Sequence, residues 1–172
     1  MIKKIIKNEK GSAYIVVFIL GLFLVAAAVP IFFDIQSVKT TGKKYTERLD
    51  DINRDTYQLV DIENTAYNVD VEITDQEEAK KLFYKLLQQR FNLDESLTPK
   101  NPNGTMMSGK PIRVEQFKIV RNEDAPLDDG YGDKLSGAGV VSEIVVPIKT
   151  PWLKVEGEKH ILVTTEIFRN KQ

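Results

Sequence analysis

The chain has no cysteine, which excludes disulfides, thiolate metal sites and thiol nucleophiles together. A domain exported without disulfides must be held by its core alone. Histidine is nearly absent as well. The one copy, His160, opens a strand-like segment, where a lone histidine is structural far more often than catalytic. No G-x-S-x-G, phosphate-binding loop, H-E-x-x-H or dinucleotide-binding glycine pattern occurs. The expectation is a protein that is not an enzyme and takes no cofactor. Neither sign of charge is in excess: 24 Lys and Arg face 25 Asp and Glu, for a net charge of −1. There is no basic field for nucleic acid. Outside one stretch the charges are interspersed, as on a folded, solvated domain.

That stretch is residues 11–33, GSAYIVVFILGLFLVAAAVPIFF. It holds 23 residues and no charge, and fourteen of them are Ile, Leu, Val or Phe. A bilayer core about 30 Å thick needs roughly 20 helical residues, so the run is long enough to span. At about −0.3 to −0.6 kcal/mol for each such residue near the membrane centre, insertion is favoured by several kcal/mol. The leader, residues 1–10, carries Lys3, Lys4, Lys7 and Lys10 against Glu9. Basic flanks stay in the cytoplasm, which puts the C-terminal domain outside. A rival reading is a cleaved signal peptide, because Ala26-Ala27-Ala28 satisfies the small-residue rule for cleavage. The apolar run continues past it through Val29, Ile31, Phe32 and Phe33 and favours a retained anchor. Gly21 and Pro30 lie inside the run, and Pro30 predicts a helix kink.

Beyond the run, residues 34–64 read as an amphipathic extension of the same helix. Apolar or small residues recur at Ile35, Val38, Gly42, Tyr45, Leu49, Ile52, Thr56 and Leu59, spaced alternately three and four apart. Counting back, Ile31, Ala28, Leu24, Gly21, Val17 and Tyr14 continue this seam of period 3.5, the pattern of a helix packed lengthwise on a partner. The partner is either the protein's own sheet or other copies of the chain, and different halves of the helix can serve each.

Residues 65–172 form the head. YNVDVEI at 67–73 is a short strand or connector. Thr74 and Glu77 make a capping box for a second helix over 75–91, with Ala79, Leu82, Phe83, Leu86 and Leu87 on one face. Pro and Gly mark 97–111 as loop. Asn103-Gly104-Thr105 fits a glycosylation acceptor, a pattern too short to carry weight. Strands are expected at 112–120, with a bulge between Val114 and Phe117, at 139–149, where Pro147 implies an edge or strand end, and at 161–168. Residues 152–155 are expected to pair back through a Glu156-Gly157 turn. The fold class is therefore α+β: a long membrane-plus-amphipathic helix on a small antiparallel sheet, with a second short helix. One acidic, Gly-rich loop contains Glu123, Asp124, Asp128, Asp129 and Asp133. The four aspartates are weak calcium candidates, because their spacing is not that of an EF-hand.

Lys7-Asn8-Glu9-Lys10-Gly11-Ser12 ahead of an apolar helix resembles the leader of type IV pilin-like proteins. With the segment DQEEAKKLFYKLLQQRFNL before the strands, the chain looks like the TadE-like pseudopilins of tight-adherence pilus systems. The resemblance implies a pilin-like fold and cleavage by a prepilin peptidase after Gly11, making Ser12 the new N-terminus. The Glu that such proteins carry five residues past the cut would fall at Val16, so the resemblance leaves open whether the leader is removed. It also implies a structural or assembly subunit, held in the lipid bilayer and packing against itself or other pilin-like subunits, in a surface filament or secretion system. The alternative is a membrane-tethered extracellular domain that binds or senses a ligand.

Overall fold

The computed structural model describes residues 9–59, 75–102, 106–121, 127–128 and 134–166. Most of the basic leader, the stretch 60–74 and the Asn103-Gly104-Thr105 tripeptide lie outside the described residues.

One α-helix, α1 (Glu9–Asp55), runs for 47 residues, about 70 Å at 1.5 Å per residue. It continues through Pro30 without a break. Proline removes one backbone donor, which frees the carbonyl four residues back at Ala26. The α-helix stops earlier than the expected residue 64. It tightens into a 3-10 turn, Thr56–Leu59, where the Thr56 hydroxyl bonds back to the Ile52 carbonyl at 2.8 Å. Such back-bonding loosens a helix end.

The second helix, α2 (Gln76–Phe91), buries Ala79, Phe83, Leu87 and Phe91 at spacings of four. Its cap is Asp75, not the expected Thr74. The Asp75 carboxylate accepts the Glu78 amide at 2.9 Å, and Glu77 and Glu78 follow at the positive end of the helix dipole. Asn92 ends it in the left-handed conformation, which asparagine tolerates, and the Leu93 amide returns to the Gln88 carbonyl at 2.8 Å.

Three strands make the main sheet: β1 (Arg113–Val120), β4 (Gly139–Lys149) and β5 (Glu156–Glu166), all antiparallel with β4 in the centre. A separate pair, β2 (Leu127–Asp128) with β3 (Lys134–Leu135), lies in the acidic loop. The bulge in β1 falls between Val114 and Gln116, as the apolar phase predicts. Strict alternation would put Val114 and Phe117 on opposite faces. The extra residue turns both toward the helices, opposite Ile144 and Ser142.

Two expectations are corrected. Pro147 is on the central strand, paired with Glu158. Proline is accommodated there because the ladder to β1 begins only at Val145, and the Pro147 carbonyl takes the Ser108 amide at 2.9 Å. Glu156 and Gly157 are not a turn. They open β5, opposite Lys149 and Ile148, and the reversal is made by residues 150–155.

Both helices cover one face of the sheet. Tyr45, Leu49 and Ile52 of α1 share a core with Phe83, Leu87 and Phe91 of α2 and with Ile144, Val146, Ile161 and Val163 of the strands. Phe83 sits 4.4 Å from Phe117 ring to ring, and Tyr45 sits 5.4 Å from Phe91. Asn53 is wholly buried in the middle of this face. Its amide nitrogen donates to Thr165 Oγ1 at 3.1 Å and to the Val163 carbonyl at 3.4 Å, and its oxygen accepts the Ser142 hydroxyl at 2.9 Å. Thr165 in turn donates to Asp50 at 2.8 Å, and the Tyr57 hydroxyl donates to the Thr165 carbonyl at 2.6 Å. Burial and the nearby Asp50 charge push the Tyr57 hydroxyl well above its usual pKa, so it stays a donor.

A satisfied polar cluster of this kind fixes register, because sliding α1 by one residue would strand buried donors. Asn53→Ala is expected to destabilise the head by about 1–3 kcal/mol, since it leaves the Ser142 and Thr165 hydroxyls short of a partner. Leu49→Ala is expected to cost about 2–5 kcal/mol as a core cavity. Lys43→Ala, which removes only an exposed 3.9 Å pair with Glu47, should stay within about 0.5 kcal/mol. Urea unfolding of the three variants in detergent checks the order.

Candidate packing surface and the junction at Asp34

The seam on α1 divides at one place. From Gly42 outward it is used up by the protein's own head: Tyr45, Leu49 and Ile52 are buried in the core. At Gly42 a Cβ would stand 3.2 Å from the Lys159 side chain of β5, so the helix approaches the strand closely there. These four residues therefore face the chain's own sheet and are closed to another copy. Val38 is half-buried at the core's edge, and Ile35 is exposed. Leu59 lies in the 3-10 turn, with its side chain outside the described residues.

Inward of Asp34 the large apolar side chains of the helix are exposed, and Phe33 at the end of the run lies against Trp152. Phe18, Phe23 and Leu24 are 67%, 70% and 73% exposed, and no part of the most apolar 18-residue window is buried. A Cβ at Gly21 would meet only open space. α1 is long and apolar enough to cross a membrane. Gly11 and Ser12, the expected processing pair, both lie in helical backbone near its start.

The division is made by Asp34, the first charge after the apolar run. It is 5% exposed, although its neighbours Phe33 and Ile35 are open. The β4–β5 tip, residues 150–155, folds over it. Its carboxylate accepts the amides of Trp152 and Leu153, each at 2.9 Å. The tip closes on itself through the Thr150 amide to the Val155 carbonyl at 2.9 Å and the Val155 amide to the Thr150 hydroxyl at 3.0 Å. Lys154 is left-handed at φ 57°, a conformation that costs a lysine about 1–2 kcal/mol and persists because these bonds hold the tip. The Trp152 ring stacks on Phe33 at 5.9 Å. Burial pushes the Asp34 carboxyl up, but the two amides, the Thr150 hydroxyl and the Lys154 charge outweigh it and hold the pKa below the ordinary 3.8.

Little else gathers into a site. Asp124, Asp129 and Asp133 lie outside the described residues, and Asp128 is placed only as backbone in β2. No group of three His, Cys, Asp or Glu able to hold a metal occurs among the described residues. His160 faces Glu143 at 3.4 Å on the exposed side of β5. One concave surface of about 670 Å³ is lined by Gln88, Leu93, Asp94, Glu95, Ser96 and Lys100. Its Asp94 carboxylate already accepts the amides of Ser96 and Thr98 at 2.9 Å and the Ser96 hydroxyl at 2.7 Å. All three bonds reach Oδ1 and hold the loop at residues 94–98 in its shape.

Compared with protein-family models, curated proteins and solved structures, the chain shows no match in any of the three.

Sequence reasoning found the seam but missed Asp34 and Asn53, which look like ordinary polar residues in a polar stretch. The only available signal was the abrupt end of the apolar run at Asp34. Because the folded pKa of Asp34 is lowered, its contribution is fully present above the unfolded value and fades as pH falls through the folded one. The near-UV circular dichroism of Trp152 in detergent is expected to hold steady down to about pH 4 and to decline below it. Asp34→Asn should weaken the signal at pH 7 and remove the acid step.

Proposed function

We propose that this chain is a single-pass membrane protein with its head outside the cell, acting as a pilin-like structural or assembly subunit of a surface filament or secretion system. The observation that carries the reading is the split of α1. The outer half buries Tyr45, Leu49 and Ile52 against the head, and the inner half presents a run of 23 uncharged residues whose large apolar side chains are exposed. Such a surface is intolerable in water and suited to lipid or to the packed helices of an assembly. The lysines of the leader support an inside N-terminus.

The bilayer stores the subunit. The inner seam, Tyr14, Val17, Gly21, Leu24, Ala28 and Ile31, lets helices lie side by side, with Gly21 and Ala28 small enough for close approach. The head, locked in register by Asn53, transmits that packing to its own contacts. A ligand-binding reading of the head would use the concave surface around Asp94 and Lys100, and the exposed apolar run favours the packing reading over it.

The absence of cysteine makes the test clean, since any introduced cysteine is unique. Single cysteines at Val17, Gly21, Leu24 and Ala28 are expected to form disulfide-linked dimers in native membranes. Ile19 and Ala26, on the opposite side of the helix at 100° per residue, should link weakly. Cross-linking at none of the six, or at all equally, would rule out a specific helix seam. Mass spectrometry of the mature N-terminus then tells apart cutting after Gly11, cutting after Ala28, and no cutting.

A further inference from the structure

Among the described residues, large exposed hydrophobic side chains fall in two places only. One is α1 from Tyr14 to Ile35, and the other is the β4–β5 tip, where Trp152, Leu153 and Val155 are 62%, 48% and 57% exposed. The tip is far from the apolar run in sequence and adjacent to it in space. Its ring stacks on Phe33, the last residue of the run, and its amides end on Asp34, the next residue.

We propose that this tip is a second membrane contact, in which Trp152 and Leu153 enter the interfacial layer of the same bilayer that holds α1. The inference rests on the anchoring reading and adds a site to it. Three features fit a lipid interface.

The first is depth. The stack and the Asp34 bonds fix the tip level with the outer end of the uncharged run, where the hydrocarbon core gives way to headgroups. The second is chemistry. An indole with an apolar body and one N–H donor is the side chain most suited to that layer, and Lys154 beside it can extend its ammonium to lipid phosphates. The third is the backbone. Irregular chain is excluded from lipid by its unpaired amides. Here Thr150, Trp152, Leu153 and Val155 all donate within the protein, and Pro151 has no amide to satisfy. The tip can leave water without stranding those donors.

The head is then held at two points, the helix and the tip. It leans on the membrane at a fixed rotation about α1 instead of swivelling on it.

Trp152 is the only tryptophan, so the full chain reports on itself. The protein is reconstituted in phosphatidylcholine–phosphatidylglycerol vesicles whose acyl chains carry bromine either near the headgroup or near the chain end. Trp152 emission is expected to shift to the blue relative to unfolded chain, to resist iodide, and to be quenched more by the shallow bromine than by the deep one. The double variant Trp152→Phe, Leu22→Trp moves the reporter to mid-span and should reverse that order. Strong iodide quenching with no bromine effect, in protein that stays on the vesicles through a carbonate wash, overturns the tip contact and leaves the anchor standing. Protection from iodide without bromine quenching, varying with the protein-to-lipid ratio, shows a second copy covering the tip and also overturns it. Release by carbonate removes the anchoring reading and this one together.

Discussion

A single sheet can cover only as much helix as its strands are long. β4 and β5 have 11 residues each, about 36 Å at roughly 3.3 Å per residue, and the same distance along an α-helix takes about 24 residues. From Thr56 inward, that count ends close to Asp34. The contacts trace it: Thr165 lies at Asn53, the Lys159 side chain at Gly42, and Leu153 at Asp34. β5 runs parallel to the outer half of α1, and the hairpin's tip lies at Asp34, the first charge after the apolar run. The head is thus matched in length to the polar half of the helix, and the apolar half is left exposed up to Phe33, which lies against Trp152.

This match explains which parts of the structure are legible in the sequence. The uncharged run, the second helix, the three strands and the β1 bulge all leave periodic traces, because each is set by alternation of apolar residues over a short window. Asn53 and Asp34 leave none. Both are polar residues on a helix whose outer half is mostly polar, and period alone assigns them to solvent. What buries them comes from far along the chain: Ser142 and Thr165 for the first, Trp152 and Leu153 for the second. A polar side chain that satisfies a distant strand looks the same as one that faces water until the strand is placed. The two errors at the sheet have the same origin. Pro147 suggests an edge only if both sides of its strand are paired along their whole length, and Glu156-Gly157 suggests a turn only if the actual turn at 150–155, closed by Thr150, is overlooked.

The seam shows how one pattern serves two environments. A period of 3.5 was continuous from Tyr14 to Leu59, and nothing in the spacing marked the change of partner. The change is chemical. Outward of Asp34 the seam is a stripe between charged flanks, Lys39, Lys43, Lys44, Glu47 and Arg48, so only the stripe is worth burying. Inward of it every face is apolar, so the seam is no greasier than the rest. In the proposed membrane setting, inner-half packing cannot be driven by hydrophobicity, because lipid offers the same environment to all faces.

That leaves shape as the driving term along the inner half. With no charge between residues 11 and 33, the run itself offers no ion pair to the proposed packing of copies in the membrane. In that proposed packing, close approach at Gly21 and Ala28 would supply van der Waals contact, which is worth little unless the helices are held in the right rotation. The Asn53 cluster supplies that constraint at one end of the head by fixing α1 on the sheet, and the Asp34 junction supplies it at the other by fixing the tip on α1. A rod with a featureless surface acquires a defined rotation from two buried polar groups. In the proposed assembly those groups, together with the small residues of the seam, would set which side of the helix a neighbour meets.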